Sequence, residues 1–272
     1  MNENQSKRYF SNPFDQNKCQ RCGHWHDAWK SKCPKCGEPS QDERANPIHD
    51  ITFANPIIET ALFIVGFTCM NLIAHIISKI IIGLGLPSVM TEVELNMLLN
   101  YGTYMVLFLI LAGICSTYIP KLLKSFAKPE MLWGAMVAIC VLGFDIVWGM
   151  ISRSLGATIN ENQTAVDSIT KPNLLLAIIF ICLIGPMCEE LTYRVGLFNF
   201  TRRINRVIGY LAVSVIFGLI HIHDYGSVNE WLSYPSYVFA GLAFAFAYEK
   251  WGLGASFLAH FLVNFVATMA NA

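Results

Sequence analysis

Apolar residues run unbroken near 57–82, 101–119, 131–151, 173–198, 207–222, 235–249 and 253–270, with polar residues crowded into the gaps. The runs lack the every-second-residue alternation of barrel strands, and lipid offers free backbone groups no partner, so helices are required. About 20 helical residues cross roughly 30 Å of hydrocarbon. The pattern predicts an all-α, multi-pass transmembrane helical bundle of about seven spans. Before residue 57 apolar runs are absent, and eight of the 19 Lys and Arg lie in the first 56 residues. This stretch reads as a small soluble module, residues 1–45, joined by a polar linker, 46–56, to a membrane domain over 57–272, with Pro39, Pro47 and Pro56 punctuating the connection.

Composition agrees with the pattern. Of 272 residues 54% are hydrophobic and 14% charged, with zero net charge and a mean hydropathy of +0.45, which excludes an ordinary soluble domain of this length. No phosphate-binding glycine loop or basic nucleic-acid face is visible, and residues 1–18 lack the apolar core of a secretory signal. If the spans alternate, Lys121, Lys124 and Lys128, then Arg202, Arg203 and Arg206, then Lys250 fall on one side, opposite connections rich in Glu92, Glu94, Asp224 and Glu230. The positive-inside rule then predicts a cell-membrane protein with a cytoplasmic N-terminus.

Cys19 and Cys22 with Gly23, and Cys33 and Cys36 with Gly37, form two knuckles of one design. Each puts two thiols on a tight turn with Gly where an unusual backbone angle is needed, and four sulfurs close a tetrahedral structural zinc site. Two disulfides are the alternative, which a reducing cytoplasm disfavours. The stretch resembles a zinc ribbon; the Cys-Pro-x-Cys-Gly knuckle also occurs in iron-binding rubredoxin, but the ten-residue spacing favours the ribbon. His24 and His26 are expected in solvent-facing loops, and Trp25 and Trp29 as contacts to a protein partner or the bilayer surface. Cys69, Cys115, Cys140, Cys182 and Cys188 lie in apolar runs and are read as small packing residues.

The chemistry concentrates in three late apolar runs. Glu189, Glu190 and Arg194, then His221, then His260 with Asn264 stand where ionisable groups are expensive. Residues four apart share a helix face, so Glu190 and Arg194 can pair while Glu189 stays separate. Taking Phe200, Val207 and Leu253 as cytoplasmic boundaries and about 1.5 Å of rise per residue, Glu189 lies about 16 Å deep, His221 about 21 Å, His260 about 10 Å and Asn264 about 16 Å. Their depths overlap, so they can face one cavity. A shielded carboxylate suits general-base work on water, and an imidazole with an amide can donate to a developing oxyanion. A catalytic divalent metal on Glu189, His221 and His260 is equally open. Asp145 is expected to be neutral or paired with a neighbouring helix, and Asn71 with His75 to hydrogen-bond between helices.

Glu189 to Arg194 form an EExxxR pattern, Phe217 to His221 an FxxxH pattern and His260 to Asn264 an HxxxN pattern. In this order the set resembles the CPBP family of intramembrane proteases, the CAAX proteases and bacteriocin-processing enzymes formerly called Abi, over about residues 130–270. The resemblance implies an intramembrane endopeptidase acting on a membrane-associated or lipidated peptide or protein. It implies Glu189 as base, His221 as an aid to water activation, His260 and Asn264 as oxyanion donors, and Glu190 and Arg194 in support. Many members have Gly directly after the Arg; here Val195 precedes Gly196, which bears on local packing. A non-catalytic membrane adaptor for a sensor is the second reading, and a proton-relaying transporter the third.

Overall fold

Every apolar run is helical in the computed structural model, which describes residues 16–27, 32–39, 56–158, 161–202 and 204–271. After two short strands, β1 (Gln16–Lys18) and β2 (Trp25–Asp27), come α1 (Pro56–Gly83), α2 (Glu92–Ile114), the short α3 (Ile119–Phe126), α4 (Trp133–Ser154) and α5 (Glu161–Thr170). A long helix α6 (Leu174–Arg202) is followed by α7 (Arg206–Leu219), α8 (Val228–Trp251) and α9 (Leu253–Asn271). Caps are explicit in the sequence: Thr91 and Glu94 close a capping box on α2, Asn205 accepts the Val207 and Ile208 amides of α7, and Ser227 starts α8.

The protein is a multi-pass membrane bundle, in which five helices are long and apolar enough to cross: α1, α2, α4 with its lead-in from Pro129, α6 and α9. The other two expected spans fall short for physical reasons. Helix α7 has 14 residues, or about 21 Å of rise, less than the hydrocarbon thickness. Helix α8 has 24 residues but carries Glu230, Glu249, Lys250 and an internal Pro235.

Helix α6 is the hub. From Glu190 to Asn199 every residue is buried, because helices close on it from several sides. Gly66 on α1 leaves room for Thr192, since a Cβ there would sit 1.9 Å from the Thr192 hydroxyl. A Cβ on Gly196 would sit 2.8 Å from the Phe63 amide nitrogen. The glycine that follows Val195 therefore serves close α1–α6 packing, as small residues do between membrane helices.

The connections gather at two ends. Arg202 and Arg206 reach Glu249 at 3.7 and 2.6 Å, the Gly254 amide donates to Ser125 Oγ at 3.1 Å, and Trp133 stacks on Trp251. The basic connections thus share one end, with Arg203 outside the described residues. At the other end the Thr158 amide donates to Asn229 Oδ1, and the Glu161 and His223 amides donate to the buried Glu230 carboxylate.

Some expectations change. Asn71 and His75 are exposed on the outer face of α1 instead of bonding a neighbouring helix, because α1 turns its other side to α2 and α6. Cys140 is exposed, whereas Cys115, Cys182 and Cys188 are buried. Asp145 does find a neighbour, the Ser236 hydroxyl on α8. His24 is exposed as expected, but His26 is buried on β2, opposite Asn17. Trp25 is exposed; Trp29 and most of the linker lie outside the described residues.

Candidate functional site

Two adjacent carboxylates on α6 have opposite surroundings. Glu190 is fully buried with Arg194, the two 3.2 Å apart, so neither marks a helix end at the surface. Its carboxylate also accepts from Ser256 Oγ at 2.5 Å and His260 Nδ1 at 2.9 Å. Because a carboxylate only accepts, the proton between them belongs to His260 Nδ1. The Arg194 guanidinium lies between two rings, 4.4 Å from Phe217 and 5.2 Å from Phe244, and Phe244 stacks on His260 at 4.7 Å. A buried charge survives in low dielectric only when paired in this manner.

Glu189 is different. Its side chain is 17% exposed, and Oε2 lies 3.7 Å from His260 Nε2 without a hydrogen-bond partner among the described residues. Oε1 accepts from the Tyr104 hydroxyl at 3.5 Å. His260 therefore stands between the two carboxylates, one ring nitrogen toward each.

Local backbone irregularity aims these groups. Helix α6 is α-helical only over Gly185–Glu189 between two π-helical stretches, Ile178–Ile184 and Glu190–Phe198, a distortion common at functional sites. The Gly185 amide donates to the Phe180 carbonyl in the five-residue pattern, and the next donor in that pattern would be Pro186, which has no N–H. The Ile181 carbonyl is thereby left over, and Asn264 Nδ2 donates to it at 3.0 Å. This fixes which way the Asn264 amide points and leaves its second N–H free.

His221 follows the end of α7. Its Nδ1 donates to the Phe217 carbonyl at 2.7 Å, which leaves Nε2 as the acceptor of the neutral ring. The ring stacks on Tyr237 at 4.2 Å, and Asn162 on α5 donates to the Tyr237 hydroxyl at 3.1 Å. Phe217 separates the two histidines, 4.9 Å from His221 and 5.9 Å from His260.

Glu189, Glu190, Arg194 and His260 are thus in direct contact, Asn264 is tied to the same helix, and His221 joins through Phe217. Sequence reasoning missed Tyr104, Ser256, Phe217 as a cation partner, Phe244 and Tyr237. Ser256 had a signal, because Ser256, His260 and Asn264 repeat every four residues along α9. Tyr104 had none; only tertiary packing brings α2 to Glu189.

The N-terminal cysteines form the other cluster. Cys19, Cys22, Cys33 and Cys36 place all their sulfurs within 4.8 Å of one another, the sole such set of three or more potential ligands among the described residues. Sulfur pairs lie 3.6 Å apart, close to the edge of about 3.8 Å that a tetrahedron with 2.3 Å zinc–sulfur bonds would have. Gly23 and Gly37 adopt φ of 68° and 73°, and each knuckle repeats the same amide-to-carbonyl bonds, Gly23 to Cys19 and Gly37 to Cys33. Burial opposes ionisation of Cys33, but the Lys35 and Cys36 amides outweigh it and bring its thiol down to about 7. The Glu38 amide favours the Cys36 thiolate, yet burial and three neighbouring thiols push it up to about 12. The quartet fits zinc. Glu189, His221 and His260 do not converge as a second such set, since His260 is anchored on Glu190 and His221 on Phe217; the expectation of a catalytic metal on them finds no matching donor geometry.

Residues 171–266 match the family of Rce1-like type II CAAX prenyl endopeptidases. That segment runs from the start of α6 to most of α9 and holds all three motifs, in agreement with the resemblance drawn from them. An uncharacterized protein of Mycoplasma capricolum subsp. capricolum (strain California kid) is 27% identical over 164 residues, covering 55% of this chain and 47% of its own length. The chain thus spans about half of that relative. No solved structure matches.

Proposed function

We propose that this protein is an intramembrane endopeptidase that hydrolyses a peptide bond of a lipidated, membrane-associated substrate, with a cytoplasmic N-terminus. One observation supports the reading: of two adjacent carboxylates, Glu190 is saturated by Arg194, Ser256 and His260, while Glu189 keeps an oxygen without a hydrogen bond among the described residues. Glu189 takes a proton from water, and the hydroxide forms a bond to the scissile carbonyl carbon. His221 Nε2 accepts a hydrogen bond from the same water and orients it. The carbonyl becomes an oxyanion that His260 Nε2–H and the free Asn264 N–H stabilise. Collapse breaks the carbon–nitrogen bond, and Glu189 returns its proton to the leaving amine.

In this reading His260 serves both carboxylates, giving its Nδ1–H to Glu190 and turning Nε2 toward the reacting side. The ribbon is a recruitment or regulatory module; zinc would cross-link its two knuckles and supply folding energy to a segment too small for much of a core.

The test uses the full chain in lipid vesicles and an internally quenched peptide ending in a farnesylated cysteine, two aliphatic residues and a variable residue, beside its unprenylated twin. Wild type should cleave the prenylated peptide, and Glu189→Gln and His260→Ala should not while remaining folded. Cleavage of neither peptide by wild type, or full activity in both variants, contradicts the endopeptidase reading and favours the adaptor.

A further inference from the structure

The acceptor side of Glu189 is well defined only if its other oxygen is held, and the holder comes from outside the matched segment. We propose that Tyr104 on α2 is a positioning residue for the Glu189 carboxylate, a role that rests on the reading of Glu189 as the base. Its hydroxyl is the one hydrogen-bond donor that the described residues give to the Glu189 side chain, at 3.5 Å from Oε1. The distance is long for an O–H···O bond, as catalytic hydrogen bonds often are before substrate is bound.

The ring cannot wander. It packs against Gly185, where a Cβ would stand in van der Waals contact with two of its carbons at 3.4 Å. The Cys188 thiol donates to the Tyr104 carbonyl at 3.7 Å. One turn earlier Tyr101 stacks on Phe180 at 4.6 Å and donates to the Ile169 carbonyl at 3.0 Å. Two tyrosines on one face thus hold α2 against α6 along the stretch from Phe180 to Glu189. With Oε1 anchored, Oε2 is left aimed at the space beside His260 Nε2, 3.7 Å away. A carboxylate fixed at one oxygen presents the other in a single direction, which is what orientation of an attacking water needs.

Tyr104→Phe removes the hydroxyl and keeps the ring on Gly185, so the fold is retained. On the farnesylated quenched peptide, kcat should fall about tenfold, the cost of one lost hydrogen bond to a charged acceptor. KM should stay within about twofold and the thermal midpoint should not move, whereas a merely structural role would move the midpoint and leave kcat per folded molecule alone. Glu189→Gln is measured in parallel. Wild-type kcat in Tyr104→Phe beside an inactive Glu189→Gln overturns the positioning role alone. An active Glu189→Gln overturns the reading of Glu189 and this role with it.

Discussion

Two places in the bundle bury a carboxylate against arginine and aromatic rings, and they end differently. At the basic end, Glu249 is enclosed by Arg206, Arg202 and the Tyr210 hydroxyl, with Oε2 accepting from Arg206 and Tyr210 and Oε1 3.7 Å from the Arg202 guanidinium. On α6, Glu190 is enclosed by Arg194, Ser256 and His260, but Glu189 beside it keeps Oε2 without a hydrogen bond among the described residues, facing the single ring nitrogen of His260 at 3.7 Å. The first arrangement is architecture, joining the N-terminus of α7 to the C-terminus of α8. The second couples a satisfied carboxylate to an available one through a shared histidine. Burial and an arginine are therefore poor markers of chemistry; the unspent acceptor is the better one.

The largest expected effect breaks the satisfied half of the α6 pair. Glu190→Ala strands the fully buried Arg194 and should cost about 3–5 kcal/mol, read as loss of folded protein in detergent. Glu249→Ala leaves Arg206, whose side chain is 27% exposed, and should cost about 1–3 kcal/mol; equal losses would erase the contrast in burial between the two sites. Next, Gly66→Ala drives a Cβ into Thr192 on the buried turn between Glu190 and Arg194. Overpacking of that kind costs about 1–3 kcal/mol, and Thr192→Ala in the same chain should restore only part of the thermal stability, because the Cβ at 192 would still lie 2.7 Å from the new one.

The smallest expected effect on the membrane domain comes from the ribbon. Cys33→Ser should abolish binding of about one zinc per chain and leave cleavage of the small peptide unchanged. Zinc binding displaces thiol protons, so its affinity should fall as pH drops from about 8 to 6 through the Cys33 value of about 7, followed by zinc-release titration.

The contrast also explains what the sequence could reveal. Apolar runs set the long helices, though not α5, which lies in a polar connection, and the two knuckles, each complete within five residues, announced four sulfurs that the structure brings together. The Glu190–Arg194 pair was legible because its spacing is local. That Glu190 rather than Glu189 anchors His260 was not, because it depends on how α9 docks on a helix whose register is shifted by π-helical turns. Tyr104 was invisible because 81 residues separate it from Gly185, on which it rests. The span count was blurred for a similar reason: α7 is short and α8 carries polar groups that only their tertiary partners make tolerable.

In the proposed reaction Glu189 reacts and Glu249 only supports. The measurement that tests it most directly is the cleavage rate per folded molecule of Glu189→Gln against Glu249→Gln on the farnesylated quenched peptide in vesicles. The account predicts a loss of roughly 10²–10⁴-fold for Glu189→Gln and a rate near wild type for Glu249→Gln. Comparable rates in the two variants would contradict it.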